Sequence, residues 1–249
     1  MNNWLKFTFN KVFLCALIIL IIINIIGAVT EDALILKTAI PLCIPVFLIF
    51  FFIKYNTLGL TFVSFLMFSF LGDIAYVFFP EEVLIEASSI LYIISYMYLL
   101  MMCPKFKILE FNTLIGVYLI VVFSIALYFL YIVHSILQTF VPNPKEVLLF
   151  GVKSLMLIIL GFSSFAVYLN TQTRQSVLFL TAIIFFGLSV MLNYINLYFL
   201  YNWSFELLQN IFYTVALYLM FRYIINLNFT KKKSKQLHLE NYSSDAVLS

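Results

Sequence analysis

The sequence predicts an all-α fold, a polytopic membrane bundle of about eight transmembrane helices with both termini cytoplasmic. Three observations predict it. Of the 249 residues, 64% are hydrophobic and 10% charged, and mean hydropathy is +1.09, whereas a soluble domain is about 45–50% apolar and about 25% charged. Such a chain has too little polar surface to cover itself, which excludes soluble, disordered and disulfide-scaffold classes. Eight apolar windows also approach the ~20 residues that cross a hydrocarbon core. Finally, the basic residues alternate from one connection to the next as the positive-inside rule requires.

The windows fall near 12–29, 34–53, 58–79, 85–103, 112–133, 147–169, 176–200 and 205–227. The first has a basic start, but its apolar stretch exceeds the h-region of a cleavable signal peptide. Lys37 opens the second, which Pro41 and Pro45 are expected to interrupt. The third, in FSFLGDIAYVFF, carries Asp73 well inside the span. Glu86 opens the fourth, and Ser88, Tyr92 and Ser95 follow at i, i+4 and i+7. The fifth is apolar, and a connection with Pro142 and Pro144 leads to the sixth, where Lys153 lies one or two turns in. The seventh carries Ser189, Asn193 and Asn196 at the same spacing as the fourth, and the eighth carries Gln209 and Tyr213. Residues 1–227 thus form one transmembrane domain, and 228–249 read as a polar, basic cytoplasmic tail without periodicity.

With the N-terminus inside, eight crossings put Lys6, Lys11, Lys54, Lys105, Lys107, Arg174, Arg222, Lys231, Lys232, Lys233 and Lys235 on the cytoplasmic side, eleven of the 14 basic residues. Only Lys37, Lys145 and Lys153 fall outside. Glu31, Asp32, Glu81, Glu82, Glu86, Glu146 and Glu206 are all assigned to the outer side. Seven or nine crossings break this alternation. The basic residues are mostly scattered singly between apolar runs, so nucleic acid is not an expected partner. Cys15, Cys43 and Cys103 make no CxxC pair, and neither His134 nor His238 has a ligand neighbour at metal spacing, so no metal or cofactor is expected. Tyrosines near span ends read as an aromatic belt.

Asp73 is the outlier. A carboxylate at mid-span costs about 2.5–3.5 kcal/mol on insertion scales and normally marks a functional site in the bundle interior. The alternative is a protonated Asp that ties two helices together. Ser69 at i−4 and Tyr76 at i+3 share its face, and Gly72 permits close approach of another helix backbone. Polar stripes on spans three, four, seven and eight are therefore expected to meet in one cavity. Lys37, Lys153 and Glu86 belong to the same outer half. Each either snorkels to the interface or serves the site, the lysines as a counter-charge for Asp73 or a contact for a lipid phosphate.

The run Phe68-Ser69-Phe70-Leu71-Gly72-Asp73 resembles the FSxxGD signature of the YhhN-like lysoplasmalogenase family, and Lys37-Thr38-Ala39-Ile40-Pro41 is similar to that family's K-P start to its second helix. Span number, order and short loops agree with the same resemblance. It implies hydrolysis of the vinyl ether of a lysoplasmalogen, a single-chain phospholipid, with Asp73 as general acid or base. Membrane lipids are then the partners, with Glu86, Tyr92 or Asn193 helping to position water and a site open sideways to lipid. The sequence departs from the family where Ser189-Val190 stands for a Ser-Asp pair, where Ser95-Tyr96-Met97-Tyr98 lacks a His, and where Tyr213-Thr214-Val215-Ala216-Leu217 lacks a Gln. Two other readings remain from the sequence: a catalytically silent lipid-binding relative, or a small proton-coupled transporter using Asp73 with Lys37 or Lys153. The composition, rich in Ile, Leu, Phe, Tyr, Asn and Lys, suggests a bacterial inner membrane.

Overall fold

In lipid, every backbone N–H and C=O must find a partner within the protein, and a helix satisfies them segment by segment. The computed structural model describes residues 3–52, 58–78, 82–104 and 113–245 and is built from helices alone among them. They are α1 (Asn3–Val29), α2 (Ala33–Phe52), α3 (Leu60–Phe78), α4 (Glu82–Met101), α5 (Thr113–Phe140), α6 (Pro144–Thr171), α7 (Arg174–Tyr198) and α8 (Trp203–Asp245). Six carry stretches long and apolar enough to cross a membrane: Leu34–Phe52, Leu60–Phe78, Gly116–Phe140, Pro144–Thr171, Arg174–Tyr198 and Trp203–Leu227. In α1 and α4 the apolar stretches are shorter, Phe13–Val29 and Glu86–Met101. The chain is a polytopic helical membrane protein. Lys54, Glu81, Lys105 and Lys107 of the charge argument lie outside the described residues.

Three local features differ from the sequence expectation. The fifth helix does not stop near 133 but runs to Phe140, because His134 to Val141 contains no Gly or Pro and the first breaker is Pro142. The next helix then starts at once. Asn143 caps it, its side chain accepting from Lys145 N at 3.1 Å, with Pro144 in the first turn where a missing N–H costs nothing. The second difference is that α2 is continuous through Pro41 and Pro45, as membrane helices with packed neighbours permit. Third, α8 continues past residue 227 to Asp245. The segment expected as a structureless tail contains Lys, Gln, Leu and Glu, which are good helix formers, and no Gly or Pro to end the helix.

Helix α8 is the hub, packing on α7, α1 and α2, while α3 packs on α4 and α2. On the other side α6 contacts α4, α5 and α7. The apolar core gathers phenylalanines from four helices: Phe13, Phe47, Phe51, Phe62, Phe65 and Phe221 are all buried. These lie late in α2, early in α1 and α3, and past the midpoint of the α8 span, so the dense packing occupies one end of the bundle. At the other end polar side chains meet.

Candidate functional site

Asp73 lies in the second half of α3 and is fully buried, at 0% exposure. A carboxyl in that position needs partners, and two tyrosines supply them. The Tyr92 hydroxyl of α4 donates to Oδ1, and the Tyr213 hydroxyl of α8 donates to Oδ2 at 2.7 Å. One turn before Asp73 on the same face, Ser69 Oγ is 3.4 Å from the Tyr213 hydroxyl. Ser88 Oγ donates to the Gly72 carbonyl at 2.9 Å, and Ser95 Oγ to the Phe65 carbonyl at 3.2 Å, so the serines of α4 fasten it to α3. The glycine before Asp73 does serve close approach, but of a side chain: a Cβ on Gly72 would stand 3.4 Å from the ring of Tyr92. Its absence lets the ring that holds Asp73 lie close against the α3 backbone.

A cavity of about 70 Å³ opens beside Asp73. It is lined by Asp73 and Tyr76 of α3, Ser88 and Tyr92 of α4, Glu146 and Lys153 of α6, Ser189 and Asn193 of α7, and Gln209 and Tyr213 of α8. Tyr76 donates to Asn193 Oδ1 at 3.2 Å, and Ser189 donates to the Gln209 carbonyl at 3.0 Å. Lys153 Nζ stands 5.7 Å from the centroid of the Tyr92 ring, a cation–π distance. Since one water needs at least 10–15 Å³ of such space, the cavity admits a few waters. It has two carboxyl groups, one amine and four or more hydroxyls on its walls.

The structure thus brings Asp73, Tyr76, Tyr92, Lys153, Ser189, Asn193, Gln209 and Tyr213 to one space. Four expected residues stand elsewhere. Ser69 lies behind Tyr213, and Ser95 staples two helices. Lys37 is exposed on α2 and is not part of the cavity lining. Glu86 also lies off the lining, where its Oε1 accepts from Asn143 Nδ2 at 3.2 Å. It anchors the α5–α6 connection rather than facing Asp73. Asn196 is likewise structural, accepting from the Asn202 N–H at 2.8 Å beyond the end of α7.

Sequence reasoning missed Glu146, Tyr198 and Tyr194, all of which line the cavity. Tyr198 donates its hydroxyl to Glu146. Glu146 reads from sequence as an exposed acid because it follows two prolines. The signal that finds it is its spacing from Lys153: seven residues, two helical turns, one face of α6. A separate polar contact also escaped the sequence reading. Asn210 Nδ2 donates to Asn24 Oδ1 at 2.9 Å and to the Leu36 carbonyl at 3.1 Å, holding α8 to α1 and α2 in the manner of polar glue between membrane helices. Val190 also faces the Asp73 cavity.

No protein-family model matches the chain, and no curated protein or solved structure matches it.

Proposed function

We propose that the protein is a lysoplasmalogenase-like hydrolase that cleaves the vinyl ether of a single-chain phospholipid, with Asp73 as the acid–base group. The observation that carries this reading is the buried carboxyl of Asp73, held by the hydroxyls of Tyr92 and Tyr213 on the wall of a water-sized cavity. The FSxxGD resemblance supports it independently.

The reaction needs a proton on carbon and then water. Protonated Asp73 gives its proton to the β-carbon of the vinyl ether, leaving an oxocarbenium ion whose charge the new carboxylate faces. Water adds to the carbon bonded to oxygen, and its released proton returns to Asp73. The hemiacetal so formed breaks its C–O bond to give a fatty aldehyde and the free glycerol hydroxyl. Tyr92 and Tyr213 keep the carboxyl hydrogen-bonded in its charged state. Glu146 is the second carboxyl of the cavity, the group that takes the water-orienting task where Val190 stands in place of the family's second Asp. Lys153 supplies positive charge toward the lipid phosphate.

In the same reading all eight helices cross the bacterial inner membrane with both termini cytoplasmic, and the cavity belongs to the outer half. The 11:3 division of basic residues supports that orientation. A cytoplasm-dependent reporter is expected to be active when fused at residue 249 and silent when fused near Glu31; the reverse pattern overturns the orientation. The activity is tested by incubating purified protein with lysoplasmalogen and measuring aldehyde, which the wild type is expected to release and Asp73→Asn is not. The aliphatic Val190 favours a second reading, a silent relative that binds the lysolipid without cleaving it. Wild-type protein that binds lysolipid but releases no aldehyde selects that reading.

A further inference from the structure

The polar cavity beside Asp73 is far too small for an amphiphile, at about 70 Å³, whereas pockets that enclose a ligand span about 300–1,000 Å³. A second space adjoins it. Between α5, α6 and α7 runs an apolar groove of about 360 Å³, which contains Phe129, Val133, Leu157, Gly187 and Met191. It exists because α5 packs on α6 and meets α7 at its far end through side chains, with the Phe140 and Phe199 rings 6.0 Å apart. Three residues line both spaces: Phe150, Val190 and Tyr194. Phe150 and Tyr194 are stacked, with ring centroids 4.4 Å apart.

Two further observations bear on what the groove holds. Gly187 sits in the interior of α7, where glycine weakens a helix, yet a Cβ there would meet nothing within 4 Å. No protein group needs the room it leaves, and the room belongs to the groove. The hydroxyl of Tyr194 is buried without a hydrogen-bond partner among the described residues. A buried polar atom in that condition calls for an explanation, and a polar group of a ligand crossing the shared wall provides one.

We propose that the α5–α6–α7 groove seats the single hydrocarbon chain of a membrane amphiphile, whose polar end passes the Phe150–Tyr194 wall to reach the Asp73 cavity and bonds the Tyr194 hydroxyl on the way. The apolar groove and polar cavity, joined through three shared residues, match the two parts of a single-chain lipid in order and polarity. This rests on the reading of the Asp73 cavity as a lipid site, but its test does not depend on catalysis.

The test uses full-length protein in phospholipid nanodiscs and a lysophospholipid with a saturated alkyl ether chain, which cannot be hydrolysed by this chemistry, carrying a diazirine near the chain terminus. After photolysis the label is expected on peptides containing 129–136, 150–158 and 187–195, and excess unlabelled lysolipid is expected to remove it. Gly187→Leu puts a side chain into the groove from a position where a Cβ meets nothing within 4 Å, and is expected to abolish that labelling while the protein stays folded. Tyr194→Phe is expected to weaken competition by the ether lysolipid without loss of thermal stability, since the hydroxyl it removes has no partner. Label spread equally over lipid-facing positions such as Ile18, Ile19 and Ile22 of α1, or unchanged in Gly187→Leu, overturns the proposal. Groove labelling with no aldehyde release from lysoplasmalogen leaves the seat standing and removes the hydrolase. Aldehyde release with no groove labelling does the opposite.

Discussion

The two ends of the bundle solve the packing problem in opposite ways. At the end where α2 finishes and α3 begins, Phe221 of α8 is ringed by Phe13, Phe47, Phe51 and Phe62, at centroid distances of 5.6, 5.6, 5.8 and 5.0 Å. Every one of these rings is buried, and tilted or edge-on aromatic pairs of this kind fill space while adding their own attraction. At the opposite end α3 and α8, now with α4, α6 and α7, present tyrosines, serines and amides, and a cavity remains. Long phenol side chains cross that space: Tyr76 reaches from α3 to α7, and Tyr213 from α8 to α3. One end supplies stability, which frees the other to hold a buried carboxyl and open space.

Substitutions break this contrast in graded ways. The largest effect on stability is expected at the packed end. Phe221→Ala removes a fully buried ring and is expected to cost about 3–5 kcal/mol, read as a large drop in unfolding temperature in detergent. At the polar end the largest effect is on activity instead. Asp73→Asn keeps the shape, and its amide can accept from one of Tyr92 and Tyr213 while donating to the hydroxyl oxygen of the other, but it cannot deliver the proton, so turnover is expected to fall by about 10²–10⁴-fold with the unfolding temperature nearly level. A drop in stability as large as that of Phe221→Ala would show that Asp73 is a structural tie instead.

Glu146→Gln sharpens the same contrast. It keeps the contact with Tyr198 but removes the second carboxyl, and aldehyde release is expected to fall by less than in Asp73→Asn, with little change in unfolding temperature. Gly72→Ala acts on geometry alone. The added methyl improves helix propensity by about 1 kcal/mol and meets the Tyr92 ring at 3.4 Å, a van der Waals contact, so stability is expected to hold or rise with turnover little changed. The smallest effect belongs to Lys37→Ala. Its side chain is exposed and outside the cavity, so neither turnover nor unfolding temperature is expected to move; lost turnover would return Lys37 to the site.

Much of the site is written in helical spacing. Asp73 stands out because it is a lone acid in an apolar run, and Ser189 with Asn193, or Gln209 with Tyr213, stand out because i, i+4 pairs share a face. Glu146 does not stand out, since an acid after Pro142 and Pro144 looks like part of a loop until the helix is seen to begin at Pro144. Glu86 misleads in the other direction. It opens a span on the correct side, yet its rotation about α4 turns it to Asn143.

What the sequence by itself determined is the class of protein and the faces of its helices. Apolar length requires a membrane, because lipid leaves the backbone no partner but itself, and 3.6-residue periodicity assigns polar side chains to shared faces. Only the tertiary structure decided which faces meet. The sixth helix contributes Glu146 and Lys153 because α6 packs on both α4 and α7, and no spacing within one helix encodes which neighbours it will have. The same holds for the groove beside α5. It is a gap between helices, and a gap arises from the angles and distances at which whole helices pack, which no local run of residues specifies.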